Sequence, residues 1–250
     1  MMIKDRTETY QVKLKGKRIL VLGGTSGIGL AVAEAAMAEG SDVVVVSSQQ
    51  RRMDAALTLL GKGAEGYIAD LSNEMAVEAL FGKMEPFDHL VYTAGDSVWQ
   101  RAIGEIKMDD AKSFFDVRFW GAFLATKHGS KLIRPGGSIV FTSSTVPRRP
   151  SVGFAIGASV SSAVEAFAAA MAVELAPVRV NVVAPGIVRT PIWDKLPKEQ
   201  REAFFEARGA ALPVGKVGEP ADVAEAYLCF MRSGYTTGQI VVVDGGMLLV

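Results

Sequence analysis

Residues 17–39 read KRILVLGGTSGIGLAVAEAAMAE, and this stretch decides the fold. The apolar run at 19–22 predicts a strand that is buried on both faces. A glycine-rich turn follows, and apolar residues then recur at helical spacing until Gly40 ends the helix. Glycines let the backbone approach a pyrophosphate, and the helix N-terminus presents free N–H groups and the positive end of its dipole. The stretch therefore predicts a dinucleotide cradle, and a plain tight turn in an α/β protein is the alternative.

Length and charge limit the class of protein and its partners. The 250 residues, 49% of them hydrophobic, suffice for one large α/β domain or two small ones. The formal net charge is zero and no long basic run occurs, so we expect no nucleic acid and no anionic membrane as partner. No apolar run reaches the length of a bilayer span, and the N-terminal residues lack a secretory signal core. These features predict a cytoplasmic protein.

Cysteine and histidine do not indicate a disulfide or a metal site. The one cysteine, Cys229, lies in an apolar stretch and is interpreted as a small core residue. His89 and His128 lie far apart in sequence and belong to no Cys/His cluster, so we expect no metal.

Strand and helix signals alternate along the rest of the chain. Apolar segments predict strands at residues 19–22, 42–46, 66–69, 88–92, 138–142, 178–183 and 240–243. Long helices are predicted over residues 109–131 and 155–175. The alternation predicts an α/β fold with a doubly wound, seven-stranded parallel sheet and helices on both faces. No linker or repeat interrupts the pattern, so we expect a single domain over residues 1–250, with ligands beyond the carboxyl ends of the strands.

Several motifs together resemble those of the short-chain dehydrogenase/reductase family. The turn Gly23-x-x-x-Gly27-x-Gly29 is similar to the family's T-G-x-x-x-G-x-G, with Leu22 in place of the threonine. Similar matches along nearly the whole chain are Asp70, Tyr92-Thr93-Ala94-Gly95 in place of N-N-A-G, Thr142-Ser143-Ser144, Arg179-Val180-Asn181, PGIVRT at 185–190 and Asp244-Gly245-Gly246. The resemblance implies a Rossmann-type fold and a nicotinamide-dependent oxidoreductase.

The resemblance also implies where the cofactor is held. The glycine turn would cradle the pyrophosphate, the ends of the second and third strands would hold the adenosine, and residues 185–190 would close over the nicotinamide. The cofactor-binding residues identified in this way are Gly23, Thr25, Ser26, Gly27, Ile28, Gly29, Ser47, Ser48, Arg51, Asp70, Leu71, Ala94, Gly95, Pro185, Gly186, Val188 and Thr190.

The end of the second strand predicts which nicotinamide cofactor is preferred. A carboxylate there would bind the adenosine 2′-hydroxyl and select NAD. This chain has Ser47 and Ser48 instead, followed by two glutamines, Arg51 and Arg52. Hydroxyl and guanidinium groups can bind a 2′-phosphate, so the segment favours NADP(H), with NAD(H) possible. A solvated helix start is the alternative interpretation of the two arginines.

The resemblance implies a catalytic tetrad of Tyr, Lys, Ser and Asn, of which this chain retains only the serine, Ser144. Alignment on the flanking motifs places other residues at the Tyr, Lys and Asn positions, namely Gly157, Ser161 and Arg118. No shift of the alignment restores the motif, because no tyrosine lies between Tyr92 and Tyr227 and residues 151–177 contain no lysine. Losing a positioned general acid costs about 10²–10⁴ in rate, so the usual reduction requires another group.

Arg118 is the candidate substitute, and with Ser144 it forms the predicted catalytic pair. Its guanidinium does not readily release a proton, but it can stabilise an alkoxide or enolate. Alternatively, Arg118 holds an anionic ligand or the cofactor, or forms a structural salt bridge with Asp116 or Asp96.

By resemblance, residues 190–215 form a mobile substrate lid. The predicted substrate-pocket residues are Asp96, Trp99, Arg148 and Trp193, with surface packing as the alternative.

Three functions remain open, and all involve a small-molecule substrate or ligand. The favoured one is an NADP(H)-dependent short-chain oxidoreductase with a non-standard active site. The others are a catalytically inactive protein that binds a cofactor or ligand or acts as a scaffold, and a non-redox lyase, hydratase or isomerase. The resemblance also implies a homodimer or homotetramer built on the two long helices, with the apolar residues 247–250 packed on a neighbouring subunit.

Overall fold

The computed structural model describes residues 14–95 and 100–250, which contain a seven-stranded parallel sheet. The strand order β3-β2-β1-β4-β5-β6-β7 reverses direction between β1 and β4, which confirms the predicted doubly wound topology and creates a crevice at that point. The fifth strand begins earlier than predicted, at Ile133. The strands are β1 (Arg18–Leu22), β2 (Asp42–Ser47), β3 (Ala64–Ile68), β4 (Phe87–Tyr92), β5 (Ile133–Thr142), β6 (Arg179–Pro185) and β7 (Ile240–Val243).

Helices cover both faces of the sheet. They are α1 (Gly27–Ala38), α2 (Gln50–Leu60), α3 (Glu74–Gly82), α4 (Met108–Phe115), α5 (Gly121–Gly129), α6 (Ala155–Glu174), α7 (Lys198–Ala210) and α8 (Pro220–Arg232). Successive strand residues point to opposite faces, so each strand contributes to two separate cores. Leu20 and Leu22 pack with residues of α3, α5 and α6, whereas Ile19 and Val21 pack with residues of α1 and α8.

The long helix predicted over residues 109–131 is interrupted. Between α4 and α5 the backbone forms one π-helical segment, Asp116–Trp120. The Tyr92 hydroxyl donates a hydrogen bond to the Val117 carbonyl oxygen inside this segment. Gly121 makes the contact possible, since a Cβ atom there would lie 2.2 Å from the Tyr92 hydroxyl oxygen. A π-bulge of this kind often marks a functional site, and this one carries Arg118.

Two sequence predictions about apolar segments are wrong. Cys229 is exposed, because α8 buries its neighbours Leu228 and Phe230 and turns position 229 outward. Helix α6 is long and apolar enough, by length and composition, to span a bilayer. In this fold α6 instead packs one face, which includes Val160 and Val164, beside the sheet.

Candidate active site

A cleft of about 510 Å³ runs along the carboxyl ends of the strands. The end predicted to hold the adenosine lies beside the loops after β2 and β3, and the other end lies between the loop after β5 and the segment after β6. The sequence-predicted site residues that line it are Gly23, Thr25, Ser26, Gly27, Ile28, Gly29, Ser47, Ser48, Asp70, Leu71, Ala94, Gly95, Arg118, Ser144, Pro185, Gly186, Val188, Thr190 and Trp193. These predicted residues therefore share one cleft.

The glycine turn has the shape of a dinucleotide cradle. A Cβ atom on Gly23 would lie 2.6 Å from the Ala94 backbone nitrogen, and one on Gly29 would lie 2.3 Å from the Gly23 carbonyl oxygen. Only glycine fits at these two positions. Ser26, which precedes α1, makes no side-chain cap, and the first turn of α1 has no acidic residue. The N–H groups and dipole of α1 therefore remain available to an anion, and these residues fit a pyrophosphate.

The second arginine after β2, and not the first, lines the cleft. Ser47, Ser48, Gln49 and Arg52 form this part of the wall, and Arg51 is absent from it. Helix α2 begins at Gln50, and consecutive residues on a helix point about 100° apart. Arg51, the predicted cofactor residue, therefore does not line the cleft, whereas its neighbour Arg52 does. The Ser47 hydroxyl oxygen accepts a hydrogen bond from the Gln49 N–H at 3.2 Å, which shapes the turn.

Ser144 is bonded to Ser161, the residue that the sequence alignment places at the lysine position. The side-chain oxygens of Ser144 and Ser161 are 2.8 Å apart, and the Val146 N–H donates to Ser144 at 3.3 Å. At the tyrosine position, a Cβ atom on Gly157 would approach nothing more closely than a Phe154 ring carbon at 3.8 Å. Both positions line the cleft with small groups, which leaves open space beside Ser144.

Arg118 lines the same cleft as Ser144. Its guanidinium carbon stands 4.2 Å from the centroid of the Phe114 ring, a cation–π contact. A Cβ atom on Gly95 would lie 3.5 Å from that carbon, so the guanidinium passes directly over Gly95. Among the described lining residues the other charged side chains are Arg52 and Asp70, which lie after β2 and β3. Arg118 therefore brings a guanidinium group to the wall of the cleft beside Gly95.

The two tyrosines nearest to the site, Tyr92 and Tyr227, already use their hydroxyl groups in hydrogen bonds within the protein. The Tyr227 hydroxyl lies 2.6 Å from the Thr142 hydroxyl, and Thr142 also donates to the Tyr92 carbonyl oxygen at 2.7 Å. Burial raises the pKa of Tyr227, which keeps its proton on the phenol. No tyrosine, lysine, histidine or cysteine occurs among the cleft-lining residues in the part of the chain described.

Arg148 is a structural residue, and its assignment to the substrate pocket is wrong. Its two terminal nitrogens donate to the Glu165 carboxylate at 2.8 and 3.1 Å, and Arg148 does not line the cleft. The Ser143 hydroxyl donates to the same carboxylate at 2.7 Å. A bidentate pair of this kind fixes geometry, so it anchors the loop after β5 to α6.

Of the remaining predicted pocket residues, the structure describes Trp193 but not Asp96 or Trp99. Trp193 lines the cleft, its indole N–H donates to the Val188 carbonyl oxygen at 3.1 Å, and its ring packs on Phe204 of α7. Asp96 and Trp99 lie outside the described residues.

In residues 14–95 and 100–250 there is no group of three or more His, Cys, Asp or Glu side chains arranged to hold a metal.

Sequence reasoning missed most of the apolar wall around Ser144. The missed lining residues include Phe114, Val146, Phe154, Val160 and Ile192. Helical spacing could have found two of them, because Phe114 precedes Arg118 by four residues and Phe154 precedes Gly157 by three. The other three line the cleft because of the course that two loops and α6 take through the fold, which the sequence pattern did not indicate.

Comparison with known proteins gives consistent similarities. The family described as enoyl-(acyl carrier protein) reductase matches residues 23–248. The short-chain dehydrogenase/reductase ucsE of an Acremonium species is 36% identical over 256 residues, covering 95% of this chain and 97% of that protein. A small-chain dehydrogenase solved in complex with NADPH is 34% identical with a TM-score of 0.80, covering 94% and 100% of the two chains. The MalC reductase/Diels-Alderase of Malbranchea aurantiaca is 29% identical with a TM-score of 0.89, covering 96% and 99%.

Proposed function

The chain belongs to the short-chain dehydrogenase/reductase family, and on that premise we propose that it is an NADP(H)-dependent oxidoreductase with a non-standard active site. The observation that carries the proposal is that an intact dinucleotide cradle shares one cleft with Ser144 and Arg118. Its substrate would be a small carbonyl compound or the corresponding alcohol.

The preference for NADP(H) is supported by the residues after β2. The hydroxyl groups of Ser47 and Ser48 and the guanidinium of Arg52 line the adenosine end, and no carboxylate follows β2 there to bind a 2′-hydroxyl. The presence of NADPH in the similar small-chain dehydrogenase supports the same choice. The α1 N-terminus would hold the pyrophosphate, and residues 185–190 would close beside the nicotinamide. When bound, the nicotinamide supplies or accepts the hydride.

The chain's own residues would stabilise negative charge on the substrate oxygen. The Ser144 hydroxyl, which is bonded to Ser161, and the Arg118 guanidinium both line the cleft and can both donate hydrogen bonds. Donors that are fixed before the reaction stabilise an oxyanion effectively in a site that excludes water. Arg118 keeps its proton at neutral pH, so it acts electrostatically and not as a general acid.

Two measurements test this proposal. Titration with NADPH and NADH, followed by nicotinamide fluorescence, should show tighter binding of NADPH. Oxidation of NADPH with a panel of ketones and aldehydes should then depend on Ser144 and Arg118, so that Ser144→Ala and Arg118→Ala are slower than wild type. Binding of neither cofactor, or turnover that is unchanged in both variants, would refute the proposal.

A non-redox activity is the second candidate. The MalC relative, similar over nearly the whole chain, is described as a reductase and a Diels-Alderase. A bond-forming reaction of that kind requires no general acid, which agrees with a cleft whose described lining lacks tyrosine and lysine. Product formation without net consumption of NADPH would identify such an activity. Cofactor binding with neither kind of turnover would instead favour a cofactor-binding or scaffold protein.

We also propose a cytoplasmic homodimer or homotetramer with one domain per chain and a lid at residues 190–215. Trp120 is 50% exposed and packs edge-to-face on Phe119 and Phe123. This aromatic group lies beside the exposed part of α6, and the two together form an apolar surface suited to a second copy. Of the C-terminal residues, Leu249 and Val250 are exposed.

A further inference from the structure

The turn that follows β7 is a tight one, closed by a carboxylate. It consists of Asp244-Gly245-Gly246, and the two glycines have φ angles of 65° and 87°, in the left-handed region that favours glycine. The Asp244 carboxylate oxygens accept hydrogen bonds from the Gly246 N–H at 2.8 Å and from the Leu248 N–H at 2.9 Å. Residues 244–250 do not themselves line the cleft, but the turn contacts three parts of the chain around it.

The first contact is with residues 185–190, four of which line the cleft. The Gly186 N–H donates to the Val243 carbonyl oxygen at 2.9 Å. A Cβ atom on Gly186 would lie 2.9 Å from the Asp244 Cα, so the two backbones pack directly on each other. The position of this segment therefore depends on the position of the turn.

The second contact is with the end of the proposed lid, residues 190–215. The Val214 N–H donates to the Gly245 carbonyl oxygen at 3.3 Å. A Cβ atom on Gly246 would lie 2.6 Å from the Pro213 Cγ, and one on Gly245 would lie 2.7 Å from the Val214 Cγ2. The two glycines thus let the end of the lid pack closely against the turn.

The third contact is with the loop after β5, which carries Ser144. The Arg149 guanidinium donates to the Met247 carbonyl oxygen, and the Thr145 hydroxyl contacts the Met247 sulfur, with 3.9 Å between the two atoms. The Thr145 N–H also donates to the Pro185 carbonyl oxygen at 3.3 Å. All three parts are therefore connected through the turn, and two of them are also connected directly.

We propose that Asp244 is a positioning residue for the reaction: by closing the turn after β7, it sets the positions of Ser144, residues 185–190 and the lid relative to one another. The inference rests on the oxidoreductase function proposed above. Ser144 and the segment that would close beside the nicotinamide belong to different elements, so a small displacement between them slows the reaction. Asp244 acts through the turn and not through contact with the substrate.

Asp244→Asn tests this role with almost no change of shape. The amide has one accepting oxygen where the carboxylate has two, so one of the two backbone N–H groups loses its acceptor. We expect residues 143–151 and 212–216 to exchange amide hydrogen for deuterium about tenfold faster, the effect of losing a hydrogen bond to a charged group. With NADPH and the best ketone of the panel, kcat should fall about 10- to 100-fold. The Kd for NADPH should stay close to that of wild type.

Asp88→Asn is the matched control for loss of stability. It makes the same chemical change near the amino end of β4, at the opposite edge of the sheet from the cleft. The Asp88 carboxylate there accepts a hydrogen bond from the Arg18 N–H at 2.9 Å. This variant should be less stable, but its kcat and the exchange of residues 143–151 and 212–216 should match wild type.

Arg149→Gln breaks only one of the three contacts. It removes the bond to the Met247 carbonyl oxygen, so exchange should rise in residues 143–151 and not in residues 212–216. If Asp244→Asn does not fold, this selective rise, together with a fall in kcat, decides the inference.

The outcomes separate the inference from the proposed function. Unchanged exchange in Asp244→Asn, or faster exchange with the kcat of wild type, would overturn the inference and leave a reductase. An equal loss of kcat in Asp88→Asn would also overturn it, since general destabilisation would then explain both variants. A wild-type protein that binds NADPH but reduces no ketone would refute the proposed function, and the exchange of the two segments would then decide the inference alone.

Discussion

The side-chain oxygens of Ser144 and Ser161 lie 2.8 Å apart, so the serine that the family resemblance marks as catalytic is bonded to the residue aligned with the family's lysine. A serine side chain is too short to reach as far as a lysine, and it carries no charge. The arginine that lines the same cleft, Arg118, belongs to another element, the π-helical segment. The polar groups that line this cleft thus differ from those of the family motif, and the effect of replacing them can be predicted.

Arg118 should contribute to turnover more than to cofactor binding. Arg118→Gln removes the charge but keeps a hydrogen-bond donor, and we expect kcat to fall by about 10²–10³, as for loss of an oxyanion donor. The Kd for NADPH should change by less than about threefold. Lys112→Gln, on the same helical stretch but exposed, is the control and should match wild type in both. A parallel loss of NADPH binding in Arg118→Gln would assign this residue to the cofactor instead.

Arg52 should determine the preference for NADPH. Arg52 lines the adenosine end of the cleft and Arg51 does not. A hydrogen bond to a charged group contributes about 1.5–3 kcal/mol, so Arg52→Ala should weaken NADPH binding about 10- to 100-fold and leave NADH binding nearly unchanged. Arg51→Ala is the matched control, with the same charge change one residue earlier. If both variants lose NADPH affinity equally, general electrostatic attraction would explain the preference.

The sequence predicted correctly those elements that are determined by the residues within them. The run Asp42-Val43-Val44-Val45-Val46 can be buried on both faces only within a sheet covered on both sides, and it forms β2. Gly29 was equally predictable, because a Cβ atom there would meet the Gly23 carbonyl oxygen of the same turn, whereas a Cβ atom on Gly23 is excluded by Ala94, on a distant segment.

The predictions failed where a side chain's position depends on a contact with a distant part of the chain, or on the direction in which a helix turns that side chain. The π-helical segment depends on a hydrogen bond from Tyr92 to Val117, between residues far apart in sequence. Arg148 was assigned to the pocket because its partner, Glu165, lies on another element. Arg51 was named without Arg52, although consecutive residues on a helix point about 100° apart and only Arg52 lines the cleft.

Gly29 should tolerate no side chain. A Cβ atom there would lie 2.3 Å from the Gly23 carbonyl oxygen and 2.4 Å from the Thr93 hydroxyl oxygen. Gly29→Ala should therefore lower the free energy of unfolding by about 1–3 kcal/mol and weaken NADPH binding at least tenfold. Gly82→Ala is the control, since no atom lies within 4 Å of its added Cβ, and it should be neutral or slightly stabilising. Equal behaviour of the two variants in urea unfolding would contradict this account.

Trp120 should contribute to assembly. Its ring is half exposed on the aromatic surface beside α6, where a charged side chain would be buried without a partner in a dimer. Trp120→Glu should shift the protein toward monomer in sedimentation velocity at micromolar concentration. Leu59→Glu, at an exposed position on α2, is the control and should leave the assembly unchanged. A wild-type protein that sediments as a monomer would refute the proposed oligomer.

His89 should make the stability fall in mild acid. Its ring is buried, with Nδ1 2.9 Å from the Ser138 hydroxyl oxygen, and burial together with the charge of Arg179 lowers its pKa to about 4. The unfolded chain, with an ordinary histidine pKa of about 6.5, binds a proton more readily between these values. The stabilisation from neutral His89 is therefore fully present above about pH 6.5 and is lost as the pH falls toward 4.

The size of this loss can be measured by difference. Near pH 5 it amounts to about 2 kcal/mol, because each pKa unit corresponds to about 1.36 kcal/mol. Urea unfolding at pH 7 and pH 5 measures the drop in wild type and in His89→Gln, which has no group that titrates at this position. The drop should be about 2 kcal/mol smaller in the variant. The same drop in both proteins would mean that carboxylates, and not His89, cause the acid sensitivity.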